Sequence, residues 1–243
     1  MKYTEKYQIE YSDCDENQHL KIPVMIDLLM QVFEHQLDKG HAGIADLLKR
    51  GLGWVVTQYQ IKISSLPKPG EHVILSTEAA GYNRFFEYRD FGIADQDGNS
   101  LVQVHSQWIM FDLKKRKLTV ADEKMMHDFD VPLLQKMPRF PRLRPLDKYD
   151  EKRQYRVRYD DLDINHHLTN SHYFNWFIDM FDRDFLKTHL IQTIDIKFDK
   201  EVRYGQVTYS CMTLSKEPVK SYHAIENEDG KEQAVCEIGW RMI

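Results

Sequence analysis

The chain is poor in cysteine: Cys14, Cys211 and Cys236 are its three, scattered and with no CxxC pair. An odd, dispersed set offers neither a disulfide framework nor a cysteine zinc site, and it suits a reducing compartment. No apolar run approaches the length of a membrane span. No amino-terminal stretch resembles a signal peptide. Met1-Lys2-Tyr3-Thr4-Glu5 enters a strand pattern almost at once, so no transit peptide and a cytoplasmic location are expected. Positive charge is not in excess. Lys and Arg number 33 against 38 Asp and Glu, and the net charge of -5 argues against nucleic acid as a partner. No nucleotide-binding motif and no helix-turn-helix segment is evident. Proline is sparse and unevenly spread: four of the 8, at 132, 138, 141 and 145, fall in one short region.

What is present is a chain of 243 residues, 42% hydrophobic and 29% charged, as in a soluble globular protein. That length holds one large domain or two of about 120 residues, each able to bury a core. One stretch organises the rest: Tyr159-Asp160-Asp161-Leu162-Asp163-Ile164-Asn165-His166-His167-Leu168. Asp163, Asn165 and His167 stand at every second position, which points them one way if the stretch is extended. An apolar helix pattern follows at Phe174, Phe177, Ile178, Phe181 and Phe185, with Asn170 or Ser171 as candidate caps. Free amides at such a helix start favour developing negative charge.

The stretch occurs twice. Tyr11-Ser12-Asp13-Cys14-Asp15-Glu16-Asn17-Gln18-His19-Leu20 repeats it in register, and Ile26, Leu29, Met30, Phe33 and Leu37 repeat the helix pattern. Later anchors keep the order. Ile61-Lys62 matches Ile196-Lys197, Gly70 matches Gly205, Asp97-Gly98 matches Asp229-Gly230, and Trp108 and Met110 match Trp240 and Met242. In each half, one long helix precedes several antiparallel strands. That is the pattern of a hot-dog unit, so the fold expected is α+β, a tandem or double hot-dog, each half a long central helix wrapped by an antiparallel sheet. The expected domains are 1–120, a proline-bearing linker over 121–150, and 151–243.

Hydrolytic chemistry needs a base or a nucleophile. The second half supplies Glu201 in Asp199-Lys200-Glu201-Val202-Arg203-Tyr204-Gly205. The first half has Leu66 at the matching place in Ser64-Ser65-Leu66-Pro67-Lys68-Pro69-Gly70. The first half thus reads as a degenerate site, free to serve as an apolar pocket, and the second as the catalytic one.

Asp163-x-Asn165-x-His167, the helix after it and Glu201, 34 positions past His167, resemble the acyl-acyl-carrier-protein thioesterases of plants and bacteria. Gly53-Trp54-Val55-Val56 and Ser106-Gln107-Trp108-Ile109-Met110 extend the resemblance over most of the chain. Many plant members carry a cysteine after the glutamate; Val202 stands there here, which excludes a thiol role. The resemblance implies hydrolysis of a fatty-acyl thioester by Asp163, Asn165, His167 and Glu201. The partner implied is an acyl carrier protein bearing a fatty-acyl phosphopantetheine, and no cofactor is implied. Glu201 would be the general base on a water or the nucleophile. His167 and Asn165 would hold the water or polarise the carbonyl, and Asp163 would orient the site. Amides near Asn170–His172 would stabilise the oxyanion. Met25, Met30 and Phe33 are core residues first and candidate acyl contacts second, since flexible methionines accept apolar ligands.

Simpler readings stand beside these. Asp and Asn build turns and caps readily, and a structural role is expected for Asp15, Asn17, His19 and Asp161. His166, His167 and His172 lack ligand spacing and a completing Cys or acid, so no metal is expected. Residues 139–158 hold eight basic residues against three acidic ones, which suits an acidic carrier or plain solvation. An acyl-CoA thioesterase, a hot-dog hydratase or dehydratase and a non-catalytic acyl-binding regulator are the rival functions. A homodimer of tandem chains and a monomer with an internal pseudo-dimer are both compatible with the repeat.

Overall fold

The computed structural model describes residues 1–164 and 167–243. They form two compact units: Met1–Leu20 with Asp27–Phe140, and Lys21–Ile26 with Pro141–Ile243. The first half runs β1 (Tyr3–Gln8), α1 (Ile22–Lys39), α2 (Ile44–Arg50), β2 (Leu52–Ile63), β3 (His72–Tyr82), β4 (Phe86–Ala94), β5 (Ser100–Asp112), β6 (Lys117–Thr119) and α3 (Glu123–Asp128). Its strands pair antiparallel in the order β1-β3-β4-β5-β2, with β6 on β5. The second half runs β7 (Glu151–Arg156), α4 (Asn170–Ile178), α5 (Arg183–Thr188), β8 (His189–Phe198), β9 (Val207–Lys216), β10 (Val219–Asn227) and β11 (Glu232–Met242), in sheet order β8-β11-β10-β9-β7. Each is a hot-dog unit, a helix laid against an antiparallel sheet.

The apolar stripe explains the docking of α1. Met25, Ile26, Leu29, Val32, Phe33 and Leu37 recur at helical spacing and are buried. Phe33 meets Phe91 of β4 edge-on at 6.1 Å and Trp108 of β5 at 5.2 Å. Burial of each such side chain is worth about 1.5–3 kcal/mol. The second unit repeats the cluster with one change, His223 in place of Phe91: Phe181 lies 5.7 Å from His223 of β10 and 4.7 Å from Trp240 of β11.

The backbone repeats as closely. Ile9 donates to Glu71 O (2.9 Å) and Gly70 to Ile9 O (2.8 Å); Val157 donates to Gln206 O (2.9 Å) and Gly205 to Val157 O (3.0 Å). Leu20 donates to Pro67 O at 2.9 Å, and Leu168 to Val202 O at 3.2 Å. Gly70 and Gly205 share φ near +80°, at 84° and 76°, the left-handed turn that glycine tolerates. These bonds fix the alignment of the halves independently of side chains, and they set Leu66 opposite Glu201.

Three expectations need correction. The second central helix is not one long element. α4 has nine residues, and the Asp182 carboxylate accepts the Phe185 amide at 2.7 Å, starting α5 anew. Phe181 and Phe185 still stack at 4.8 Å, so the apolar face survives the break. The motif stretch does not start extended: β7 stops at Arg156, and Tyr159–Asp161 forms a 3-10 turn. The segment taken as linker holds α3, capped by Asp122 and anchored by buried Met125 and Met126.

Candidate active site

The motif loop is closed rather than extended. Tyr159–Asp161 turns once, and Leu162 bridges to Leu168. Between them the Asp163 amide donates to His167 O (2.8 Å), and the His167 amide donates to Asp163 Oδ1 (3.0 Å). An aspartate gripping its own downstream backbone is the usual Asx device for a tight loop. Asp163 therefore positions His167 through the main chain. The first unit makes the same loop: the Asp15 amide donates to His19 O (2.9 Å), and Asp15 Oδ1 accepts the amides of Asn17 and His19, each at 2.9 Å. Asn165 lies outside the described residues.

The Leu168–Val202 bond brings the loop beside the segment after β8. There Nε2 of His167 lies 2.6 Å from Oε1 of Glu201, with both side chains about a quarter to a third exposed. The structure thus brings together Asp163, His167 and Glu201. A carboxylate within hydrogen-bond distance of an imidazole, in reach of solvent, can take a proton from water or attack an acyl carbon while the imidazole stabilises charge.

Residues not singled out from sequence complete the surroundings. Arg203 places Nη2 and Nε at 3.1 and 3.3 Å from Glu201 Oε2, so Glu201 lies between an imidazole and a guanidinium. Gln233 Nε2 donates to Glu201 O at 3.3 Å, tying the segment to β11. Tyr173 of α4 is buried, and burial together with the Glu201 charge pushes its phenol up. A cation two residues past an acid was the available signal for Arg203; nothing local marked Gln233.

Asp161 is buried and held by Arg158. Burial works to raise its carboxyl, but the Arg158 guanidinium at 2.8 Å and the Arg158 amide outweigh it and hold the carboxyl below the usual range. His172, 3.5 Å from Asp161, is pushed down by burial. Asn170 is the first residue of α4, and the helix cap falls on Thr169 rather than Asn170 or Ser171. The His172 amide is committed to Thr169 O (2.9 Å). On α1, Met25 and Phe33 are buried, while Met30 is half-buried with its sulfur 3.5 Å from the Tyr59 hydroxyl.

Residues 1–129 match the family profile of the acyl-ACP thioesterase N-terminal domain, and residues 145–242 match that of the C-terminal domain. A protein from Lactobacillus plantarum, provisionally called an oleoyl thioesterase, superposes with TM-score 0.95 at 30% identity, covering 100% of this chain and 97% of that one. The 12:0-ACP thioesterase of Umbellularia californica shares the fold, with TM-score 0.86 at 16% identity over 100% and 98% of the two chains. A chloroplastic acyl-[acyl-carrier-protein] hydrolase of Cuphea viscosissima is 25% identical over 89% of this chain and 58% of its own length. The chain spans little more than half of that plant relative.

Proposed function

The chain belongs to the acyl-ACP thioesterase family, and from that premise we propose that it hydrolyses fatty acyl-acyl-carrier protein to free fatty acid and carrier. The observation that carries the proposal is the 2.6 Å approach of His167 Nε2 to Glu201 Oε1, at a place where the first unit has Leu66. In this reading Glu201 takes the proton of a water, or attacks the thioester carbon directly. His167 stabilises the charge that develops, with Asn165 beside it in sequence. Asp163 keeps the His167 loop closed. Arg203 keeps Glu201 oriented. Amides at the start of α4, at Asn170 and Ser171, face the oxyanion; one such donor is worth roughly 3–4 kcal/mol in other hydrolases.

The degenerate first half of the sequence leaves apolar α1 side chains, Met25, Met30 and Phe33, to receive the acyl chain. The partner is the carrier protein with its acylated phosphopantetheine. A homodimer of tandem chains and a cytoplasmic location complete the proposal. Among the described residues no helix is long and apolar enough to cross a membrane.

The test is fatty-acid release from acyl-carrier proteins of graded chain length, beside the matching acyl-CoAs, with Glu201→Ala as control. Glu201-dependent release that favours the carrier is expected. Tight acyl binding without release would instead indicate an acyl-binding regulator.

A further inference from the structure

The two units share one backbone frame around the motif, so each serves as a control for the other. Residues that differ at matching positions are not demanded by that frame. Most of the differences run one way. Gln8, Glu10, Glu16 and Glu71 of the first unit become Arg156, Arg158, Ile164 and Gln206 in the second, and Pro69 becomes Tyr204. Three carboxylates disappear, two cations arrive and two large apolar side chains are added. Asp160 in place of Ser12 runs against the trend. Tyr11 and Tyr159 are both exposed, so that tyrosine belongs to the frame and is not counted.

The changed residues gather on the two segments that carry His167 and Glu201. The Val157–Gln206, Gly205–Val157 and Leu168–Val202 backbone bonds hold residues 156–168 against 202–206. Their side chains face solvent: Ile164 is 66% and Tyr204 59% exposed. Arg156 is exposed, and Arg158 stays 71% exposed while leaning on Asp161. Ile164 and Tyr204 are thus large apolar side chains held in solvent on the two segments that carry His167 and Glu201.

We propose that this rim, Arg156, Arg158, Ile164 and Tyr204, is the docking surface for the acidic carrier protein named as partner above. The proposal rests on that functional reading. The two arginines meet carboxylates, and Ile164 and Tyr204 seat on apolar surface where the phosphopantetheine arm leaves the carrier. A chain of net charge -5 repels an acidic protein at long range. Local cations at the mouth offset this repulsion and orient the encounter. The first unit, with Glu10, Glu16 and Glu71 at the same places, repels such a partner and so directs it to the working site.

The experiment grafts first-unit residues onto the rim, leaving the Arg158–Asp161 pair intact: Arg156→Gln and Ile164→Glu together. The first unit builds the same loops with those residues. Two substrates of equal chain length are compared, an acyl-carrier protein and an acyl-pantetheine thioester that lacks the carrier. KM for the acyl-carrier should rise about tenfold or more and lose most of its salt dependence. kcat/KM for acyl-pantetheine should stay within about twofold, the size of effect expected of surface changes that touch no reacting group. Equal losses on both substrates, or an unmoved KM for the carrier, overturn the proposal. Arg156→Glu alone, outside any ion pair among the described residues, supplies the same readout should the double variant fold poorly. Wild-type enzyme that cleaves acyl-pantetheine or acyl-CoA and no acyl-carrier refutes the functional reading itself, before any graft is made.

Discussion

Removal of Arg89 should be far more damaging than removal of Arg89 and Glu87 together. The pair lies in β4 of the first unit, with side chains 3% and 2% exposed. All three guanidinium nitrogens of Arg89 are engaged: Nε at 3.1 Å and Nη2 at 3.0 Å from Glu87 Oε1, and Nη1 at 2.6 Å from Gln36 Oε1 and 3.1 Å from Thr77 Oγ1. The guanidinium also lies over the Phe33 ring at 4.5 Å. Burial pushes the Glu87 carboxyl up and Arg89 opposes this. Arg89→Met leaves a buried carboxylate without its cation, a loss of about 3–5 kcal/mol against a total of roughly 5–15 for a domain. The second unit has Val219 and Ser221 at the matching positions, so the fold does not need the pair. Glu87→Val with Arg89→Met should return to within about 1–2 kcal/mol of wild type. The sign with pH is fixed. In Arg89→Met the folded-state carboxyl is raised without opposition, so stability falls as pH rises and the loss is smaller at pH 5 than at pH 8. Urea denaturation of wild type, both single variants and the double variant at those two pH values measures the coupling. Additive losses, or a single-variant loss below about 1 kcal/mol, would refute the reasoning.

Other outcomes follow from the same contacts. Arg203→Gln removes a cation about 3 Å from Glu201. Screened by solvent, that interaction is worth roughly 1 kcal/mol, so kcat/KM should fall about fivefold in initial-rate assays; Arg203→Lys should restore most of the loss. Burial, and then the Asp38 charge, push the Glu34 carboxyl from 4.5 up to about 7, so its contribution to stability is lost as pH rises between those values. Glu34→Gln should therefore stabilise the protein by about 2–3 kcal/mol in thermal melts above pH 7 and change little at pH 4. His167→Ala should abolish turnover and His19→Ala leave most of it, measured as acid released per folded enzyme.

The repeat was readable because it rests on backbone demands that only certain residues meet. Gly70 and Gly205 mark a left-handed turn, and Asp15 and Asp163 close a loop on their own amides. From these anchors, Leu66 against Glu201 followed by counting. The sequence misleads where a local device overrides a period. Apolar spacing runs straight through Asp182, yet its carboxylate starts a new helix. Alternation at Asp163 and His167 suggests a strand, yet the Asx hydrogen bond bends it. Arg203 and Gln233 escaped notice for another reason: their partners are set by side-chain reach and by strand pairing between distant segments, which no local pattern encodes. Glu87 and Arg89 are the same case, charged residues buried because they face each other and not water.

The most direct test of the central claim is single-turnover hydrolysis of a long-chain acyl-carrier protein by wild type and Glu201→Gln, with free acid and free carrier thiol quantified together. The account predicts matched release of both by wild type, and at least about a 1000-fold slower release by Glu201→Gln, the scale on which loss of a reacting group is felt. Undiminished release by Glu201→Gln in a folded protein would remove the His167–Glu201 pair from the chemistry and contradict the account.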